Sequence, residues 1–350
     1  MSTGVSDLAT SGYLRGMPKI ELHCHLEGSV PAATAVDLAR RNGIALPSMD
    51  PARLYEFDDL EGFLAVYQAV SRAMVSAADF ATVTYESLAD AVDSGNLRYR
   101  EIAFNPTNHP DLGYREMLAG ITDGIDAAER DLGVTSRLIV AVNREQSPSV
   151  AADLLRTVAA HPSDYVVGIG LDHNERAGPP EAFCEAYEIA ESAGLRRTAH
   201  AGERGDVAEV AASIDVLGVE RVDHGYAVLG EADLLRQSID RGIHFATCWG
   251  TALFHCGGDA AASPIGVMID RGLDVSISSD DPPCFGTDIG NEYLRAGAQL
   301  GWTETEAEAR MLSAVEATFL DDSDRTSLRR RMLAELAAFR QGMAPAGRPD

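Results

Sequence analysis

The chain is 350 residues long and carries a formal net charge of −25. That length can bury one large α/β barrel or two smaller domains, and acidity spread along the chain without blocks repels polyanions, so nucleic acid and anionic membrane are excluded as expected partners. The opening MSTGVSDLATSGYLRG lacks a basic, apolar leader and no apolar run approaches bilayer-spanning length, so a cytoplasmic protein is expected.

Residues 1–16 are small and polar and are expected to form a loose, flexible arm before a hydrolase unit spanning 17–336, with 337–350 as a tail. Lys19 to Gly28, KIELHCHLEG, alternates apolar and polar residues with the two-residue period of a strand, which puts His23 and His25 on one face. Lys19 is the only lysine, and it stands at the entrance of this strand. A phosphate-loop lysine, a Schiff-base lysine and a lysine bridging two metals therefore drop out. Pro31 opens a helical pattern that stops at Gly43. An excursion over about 52–95 follows, with apolar residues at helical spacing (Leu60, Phe63, Leu64, Tyr67, then Phe80, Val83, Leu88, Ala91), read as two or three helices able to roof a site.

Short apolar strands then alternate with helical patterns. The strands fall at 97–104, 136–142, 166–172, 195–203, 220–228, 242–249 and 273–280. With the first they make eight, and eight strand–helix units predict a (β/α)₈ TIM barrel with a helical insertion after its first strand. A doubly wound open sheet is the alternative, although no Gly-x-Gly-x-x-Gly opens the first helix. Five scattered cysteines, Cys24, Cys184, Cys248, Cys256 and Cys284, support neither a disulfide framework nor a cysteine zinc knuckle.

In a barrel the C-terminal strand ends share one mouth. Those ends carry His23 and His25, Asn105, Asp172, His200 and Glu203, His224, Cys248, then Asp280 with Asp281. Four of the nine histidines fall there, more than chance placement gives, and the set reads as a metal site. His23, His25, His200 and Asp280 can bind one zinc or similar ion and leave a position for water. Glu203, just past His200 in HAGE, is placed as a proton shuttle. His224 can orient the attacking oxygen or accept its proton, with Asp223 as its partner. Asp281 can accept a hydrogen bond from a substrate ring nitrogen.

The set HCHLEG, HAGE, VDHG and SSDDP, in this order, resembles the adenosine/adenine deaminase family of zinc-dependent amidohydrolases, from about Met17 to about Leu336. The resemblance implies one Zn²⁺ on His23, His25, His200 and Asp280. It also implies Glu203 as the acid that protonates N1 of a purine, His224 orienting hydroxide and Asp281 as the partner of N7. Hydroxide would attack C6 and ammonia would leave. Glu27, Gly170, His173 and Asp281 are then the expected substrate contacts. Glu27, where adenosine-cleaving members usually have Asp, and the FG of DDPPCFG look more like the adenine-type branch. Two departures lie nearby: Cys248-Trp249-Gly250-Thr251 replaces the usual Pro-x-Ser-Asn turn, and His173 stands where the family usually has Gly or Ser. A deaminase of an N6-substituted adenine or aminodeoxyfutalosine-like nucleoside and a non-catalytic purine-binding homologue are the competing readings. A two-metal amidase or phosphoesterase is disfavoured by the single lysine.

Overall fold

The structure is a computed structural model that describes residues 8–57 and 60–343, with side chains from 62 onward in the second segment. Eight strands follow one another around a single sheet, every neighbouring pair parallel: β1 (Lys19–Glu21), β2 (Leu97–Phe104), β3 (Thr135–Asn143), β4 (Val166–Asp172), β5 (Arg196–Ala201), β6 (Arg221–His224), β7 (His244–Cys248) and β8 (Asp274–Ser278). The ring closes just beyond β8. A parallel bridge joins Cys24 to Asp280, where the His25 amide donates to Asp280 O (3.0 Å) and the Asp280 amide to His23 O (3.2 Å). The chain is thus a (β/α)₈ barrel, and the open-sheet alternative falls.

The first strand is shorter than its alternation predicts. Regular pairing stops at Glu21, the amides of Leu22 and His23 donate to the Ser278 hydroxyl (3.3 and 3.2 Å), and pairing resumes with isolated bridges at Cys24 and His25. The two histidines therefore sit on an irregular stretch pinned between β2 and β8. Several other predicted strands also lose residues at their C-terminal ends. Backbone with positive φ intervenes at Gly202 (68°), His224 (65°) and Asp280 (63°). For His and Asp this left-handed geometry costs of order 1–3 kcal/mol each, and both side chains belong to the cluster described below.

The excursion forms two helices among the described residues, α3 (Leu60–Arg72) and α4 (Ala77–Gly95), after α1 (Ser11–Gly16) and α2 (Ala32–Asn42). Helix α4 packs closely on α5 (Tyr114–Leu132), because a Cβ at Gly120 would lie only 2.1 Å from Ala77 O. Helix α3 roofs the mouth with Phe63, Tyr67 and Ser71. The outer ring continues with α6 (Pro148–Ala160), α7 (Cys184–Ser192), α8 (Val207–Asp215), α9 (Ala232–Asp240), α10 (Trp249–His255) and α11 (Pro264–Asp270). It ends with α12 (Ile289–Leu300), α13 (Glu304–Glu316) and α14 (Asp322–Met343).

Both chain ends differ from expectation. Residues 1–7 and 344–350 lie outside the described residues. The rest of the expected arm is folded: Thr10 caps α1 by accepting from the Tyr13 amide, and Tyr13 and Leu14 are buried against α12 and α13. Polar composition concealed that two-residue anchor. Helix α14 runs through the expected boundary at 336 to Met343, with the Phe339 ring on Tyr13 (centroids 5.4 Å).

Beneath the mouth, Glu21 ties the seam. Its buried carboxylate receives Arg100 Nε (2.5 Å) from β2, and the Ser279 amide (2.8 Å) and hydroxyl from the exit of β8. Replacing Glu21 by Ala strands the buried Arg100 guanidinium and opens that junction. The expected loss is about 3–5 kcal/mol, read from the shift of a denaturant unfolding midpoint at unchanged slope.

Candidate active site

Four imidazoles meet at the C-terminal mouth. Ring centroids separate His23 from His25 by 5.0 Å, His23 from His200 by 4.7 Å, His25 from His200 by 5.1 Å and His224 from His200 by 4.9 Å. Asp280 reaches into the same space, its Oδ1 3.2 Å from His23 Nε2 and 3.5 Å from His25 Nε2, its Oδ2 3.8 Å from His224 Nε2. Donor atoms of His23, His25 and His200 all lie within 4.8 Å of one another, as do those of His23, His224, Cys248 and Asp280. Residues from opposite ends of the sequence thus converge because the strands that carry them close a ring.

Carboxylates stand behind two of these rings. Asp223 Oδ1 stands 3.3 Å from His23 Nδ1, and Asp172 Oδ2 stands 3.6 Å from His25 Nδ1, so both Nε2 atoms face the centre. Asp223 was expected to serve His224. It turns instead to His23, because successive residues of β6 point to opposite sides and His224 leaves the strand with positive φ. Thr251 donates to Asp280 Oδ2 (2.7 Å), and Arg144 donates to His200 O (2.6 Å). Burial and the neighbouring His23 lower the proton affinity of His25 and His200, leaving neutral donors. Burial alone would raise Asp280, but His23, His224 and His25 hold it well below the carboxylate range. Burial likewise opposes protonation of His23, yet Asp223 and Asp280 raise it well above its ordinary value. Neutral imidazoles around an ionised carboxylate fit a divalent cation, which would compete with the His23 proton. Cys248 fits less well, since burial and Asp280 push its thiol up.

Beside this cluster lies a cavity of about 590 Å³, which His25, His200, Glu203, His224, Asp280 and Asp281 line on its inner side. Burial and ionised Asp280 raise Asp281 well above the usual carboxyl range, and its Oδ1 is buried without a partner. That shift favours the protonated form of Asp281, which donates a hydrogen bond, whereas the sequence suggested an acceptor. Gly28 makes room for it: a Cβ there would lie 1.5 Å from Asp281 Oδ1. The variant Gly28→Ala is expected to lower kcat/KM by about tenfold or more by displacing that carboxyl, as steady-state kinetics would show.

The expected substrate contacts separate into two groups. His173 lines the cavity with φ of 69°, its ring held by Asp172 (2.7 Å) and Asn108 (3.2 Å). Glu27 is buried behind the wall. Its Oε1 accepts from the Asn105 amide (2.9 Å) and faces His109 Nε2 (3.3 Å), while Oε2 has no partner. Gly170 faces Ile139 and Thr198 in the barrel interior and does not line the cavity.

The departure at 248–251 forms the start of α10. Trp249 is buried in the core, the Gly250 amide donates to Glu292 (3.0 Å), and Thr251 orients Asp280. One turn further on, His255 Nε2 lies 2.6 Å from Glu203 Oε1. Sequence reasoning gave His255 no role. The available signal was its i, i+4 spacing from Thr251, which puts both on one helix face.

Comparison with known proteins agrees with this geometry. A family model described as "Adenosine deaminase" matches residues 18–335. The adenine deaminase of Streptomyces coelicolor is 36% identical over 335 residues, covering 93% of this chain and 97% of that protein, and that of Ralstonia nicotianae is 34% identical over 317 residues, covering 88% and 92%. The crystal structure of adenine deaminase from Arthrobacter aurescens superimposes with a TM-score of 0.86 at 30% identity, covering 93% of this chain and 100% of that one. An amidohydrolase from Burkholderia ambifaria with bound Zn superimposes with a TM-score of 0.88 at 30% identity, covering 98% and 97%. Among the described residues no helix is long and apolar enough to cross a membrane. Barrel, histidine cluster and full-length similarity together establish that this chain is a C–N hydrolase belonging to the adenosine deaminase family.

Proposed function

We propose that the chain deaminates a 6-aminopurine hydrolytically, adenine first among the substrates to try, with one zinc held by His23, His25, His200 and Asp280. The observation that carries this reading is the cluster of His23, His25 and His200, with Asp280 reaching His23 and His25, beside a cavity whose inner wall also presents Glu203, His224 and Asp281. When bound, the ion supplies a water acidified to near neutrality as the nucleophile.

The protein groups divide the remaining work. His224, kept neutral by burial despite Glu203 and Asp280, orients the attacking water and takes its proton. Glu203 delivers a proton to N1, which makes C6 electrophilic and lets the ring accept the electron pair. Asp281, protonated, donates to N7 and fixes the base in its plane. Helix α3 covers the mouth with Phe63 and Tyr67, which limits competing water. As the C6–N bond breaks, the remaining proton of the new C6 hydroxyl passes to the departing amine, which leaves as ammonia, and the product has a carbonyl at C6 and keeps its hydrogen at N1.

The cavity exceeds the volume of a bare purine, so nucleosides and N6-substituted adenines belong in the test panel. Incubation with adenine, adenosine and N6-methyladenine, followed by the ultraviolet shift from 6-amino- to 6-oxopurine, tests the reading. Adenine is expected to turn over fastest. A zinc-loaded chain inert toward every member overturns the proposal, and two metal ions per chain would favour another metallohydrolase.

A further inference from the structure

Glu203, Arg204, Phe254 and His255 line two spaces at once: the 590 Å³ cavity and a second cleft of about 460 Å³ bounded by Tyr226, Ala227, Cys256 and Pro264. They are the partition between them. Within it, His255 Nε2 meets Glu203 Oε1 at 2.6 Å, and the two side chains are 19% and 17% exposed. The charged and titratable groups that line the second cleft with His255 are Glu203 and Arg204 from the turn after β5, Tyr226 from the turn after β6, and Cys256 on its own segment, and the main cavity adds Glu175, His224, Asp280 and Asp281. Its Nδ1 has no protein partner among the described residues.

The proposed reaction makes a demand on this partition. The proton that Glu203 gives to N1 departs with the product, so the carboxylate has to be recharged in every cycle. Burial would help Glu203 keep a proton, but His224 and His255 together hold it below the ordinary carboxyl range. A base seated in the main cavity would fill the space that Glu203 lines on that side. The second cleft remains.

We propose that His255 is a positioning residue for Glu203 that also supplies its proton, taken from solvent in the second cleft. This rests on the deaminase reading above. In the step, the Nε2–H bond of protonated His255 breaks as an O–H bond forms on Glu203; Glu203 passes that proton to N1, and the imidazole regains one from solvent. The proton that the attacking water yields at His224 returns to solvent and balances the count.

The test compares the zinc-loaded wild type with His255→Asn and His255→Ala on the same 6-aminopurine, with zinc content as the check on folding. Asn keeps a hydrogen bond to Glu203 and cannot relay a proton. Both variants are expected to lose kcat by at least about tenfold, the low side of what positioned proton transfer contributes, with KM little changed. Added imidazole should restore the Ala variant in a concentration-dependent way. The acidic limb of the kcat–pH profile should move in both variants. An Asn variant as fast as the wild type, or an Ala variant that imidazole does not rescue, overturns the relay. A wild type inert toward every 6-aminopurine overturns the deaminase reading itself and this role with it, whereas an active wild type beside an equally active Asn variant overturns the relay alone.

Discussion

Glu203→Gln is expected to keep about one metal ion per chain and to lose turnover of a 6-aminopurine by about 10²–10⁴-fold. The size follows from what the side chain does. Glu203 lines the cavity without belonging to either donor cluster, and its contacts are the His255 ring and, through its amide, the Glu175 carboxylate (3.0 Å). Gln has nearly the same shape and holds the backbone anchor. It cannot give a proton to N1, and without that proton the purine ring is a poor acceptor for attack at C6. Metal analysis together with kcat measures both halves. A variant retaining more than a tenth of wild-type turnover would remove Glu203 from the reaction, and one that lost its metal would make it a structural support for the cluster.

Asp280→Asn should abolish both metal retention and activity, by a factor of about 10² or more in metal affinity. Metal-site losses of 10–100-fold follow even when only an outer partner is removed, and Asp280 stands closer in. Among the described residues it is the one carboxylate that approaches His23, His25 and His224 together, and it also joins the barrel seam through its backbone. Asn preserves the seam hydrogen bonds and the shape while deleting the negative charge. With that charge gone, Asp281 loses one cause of its raised proton affinity. Affinity in the wild type should rise with pH, because Asp223 and Asp280 raise the proton affinity of His23 and the ion competes with that proton. Metal titration of both proteins at two pH values checks charge and sign. An Asn variant that binds the ion as tightly as the wild type would exclude Asp280 from the donor set.

Much of this site was legible in the chain because the signals were local. HCHLEG, HAGE, VDHG and SSDDP each combine a ligand-type residue with a strand end, and in a parallel barrel strand ends share one face. Less legible was which neighbour an individual residue turns to. Asp223 follows the strand alternation to His23 and away from the adjacent His224, and Gly170 turns into the barrel interior. The rise in the proton affinity of Asp281 was likewise not legible in SSDDP, because it comes from burial and from the ionised Asp280 beside it. The N-terminal anchor and the Glu21 tie were hidden for a similar reason: Tyr13 meets α13 and α14, and Glu21 meets Ser279, across some 250 residues or more.

By itself the sequence determined the number and order of strand–helix units and the class of reaction, and it pointed to the histidines and carboxylates that meet at the mouth, because these depend on residue type, period and position along the chain. Only the tertiary structure decided that β1 breaks off before its histidines, which carboxylate orients which imidazole, and that His255 stands against Glu203 between two cavities. Contacts of this kind arise when the ring closes, from segments that share no local pattern, and proton affinities depend on the burial and neighbouring charge which that closure creates.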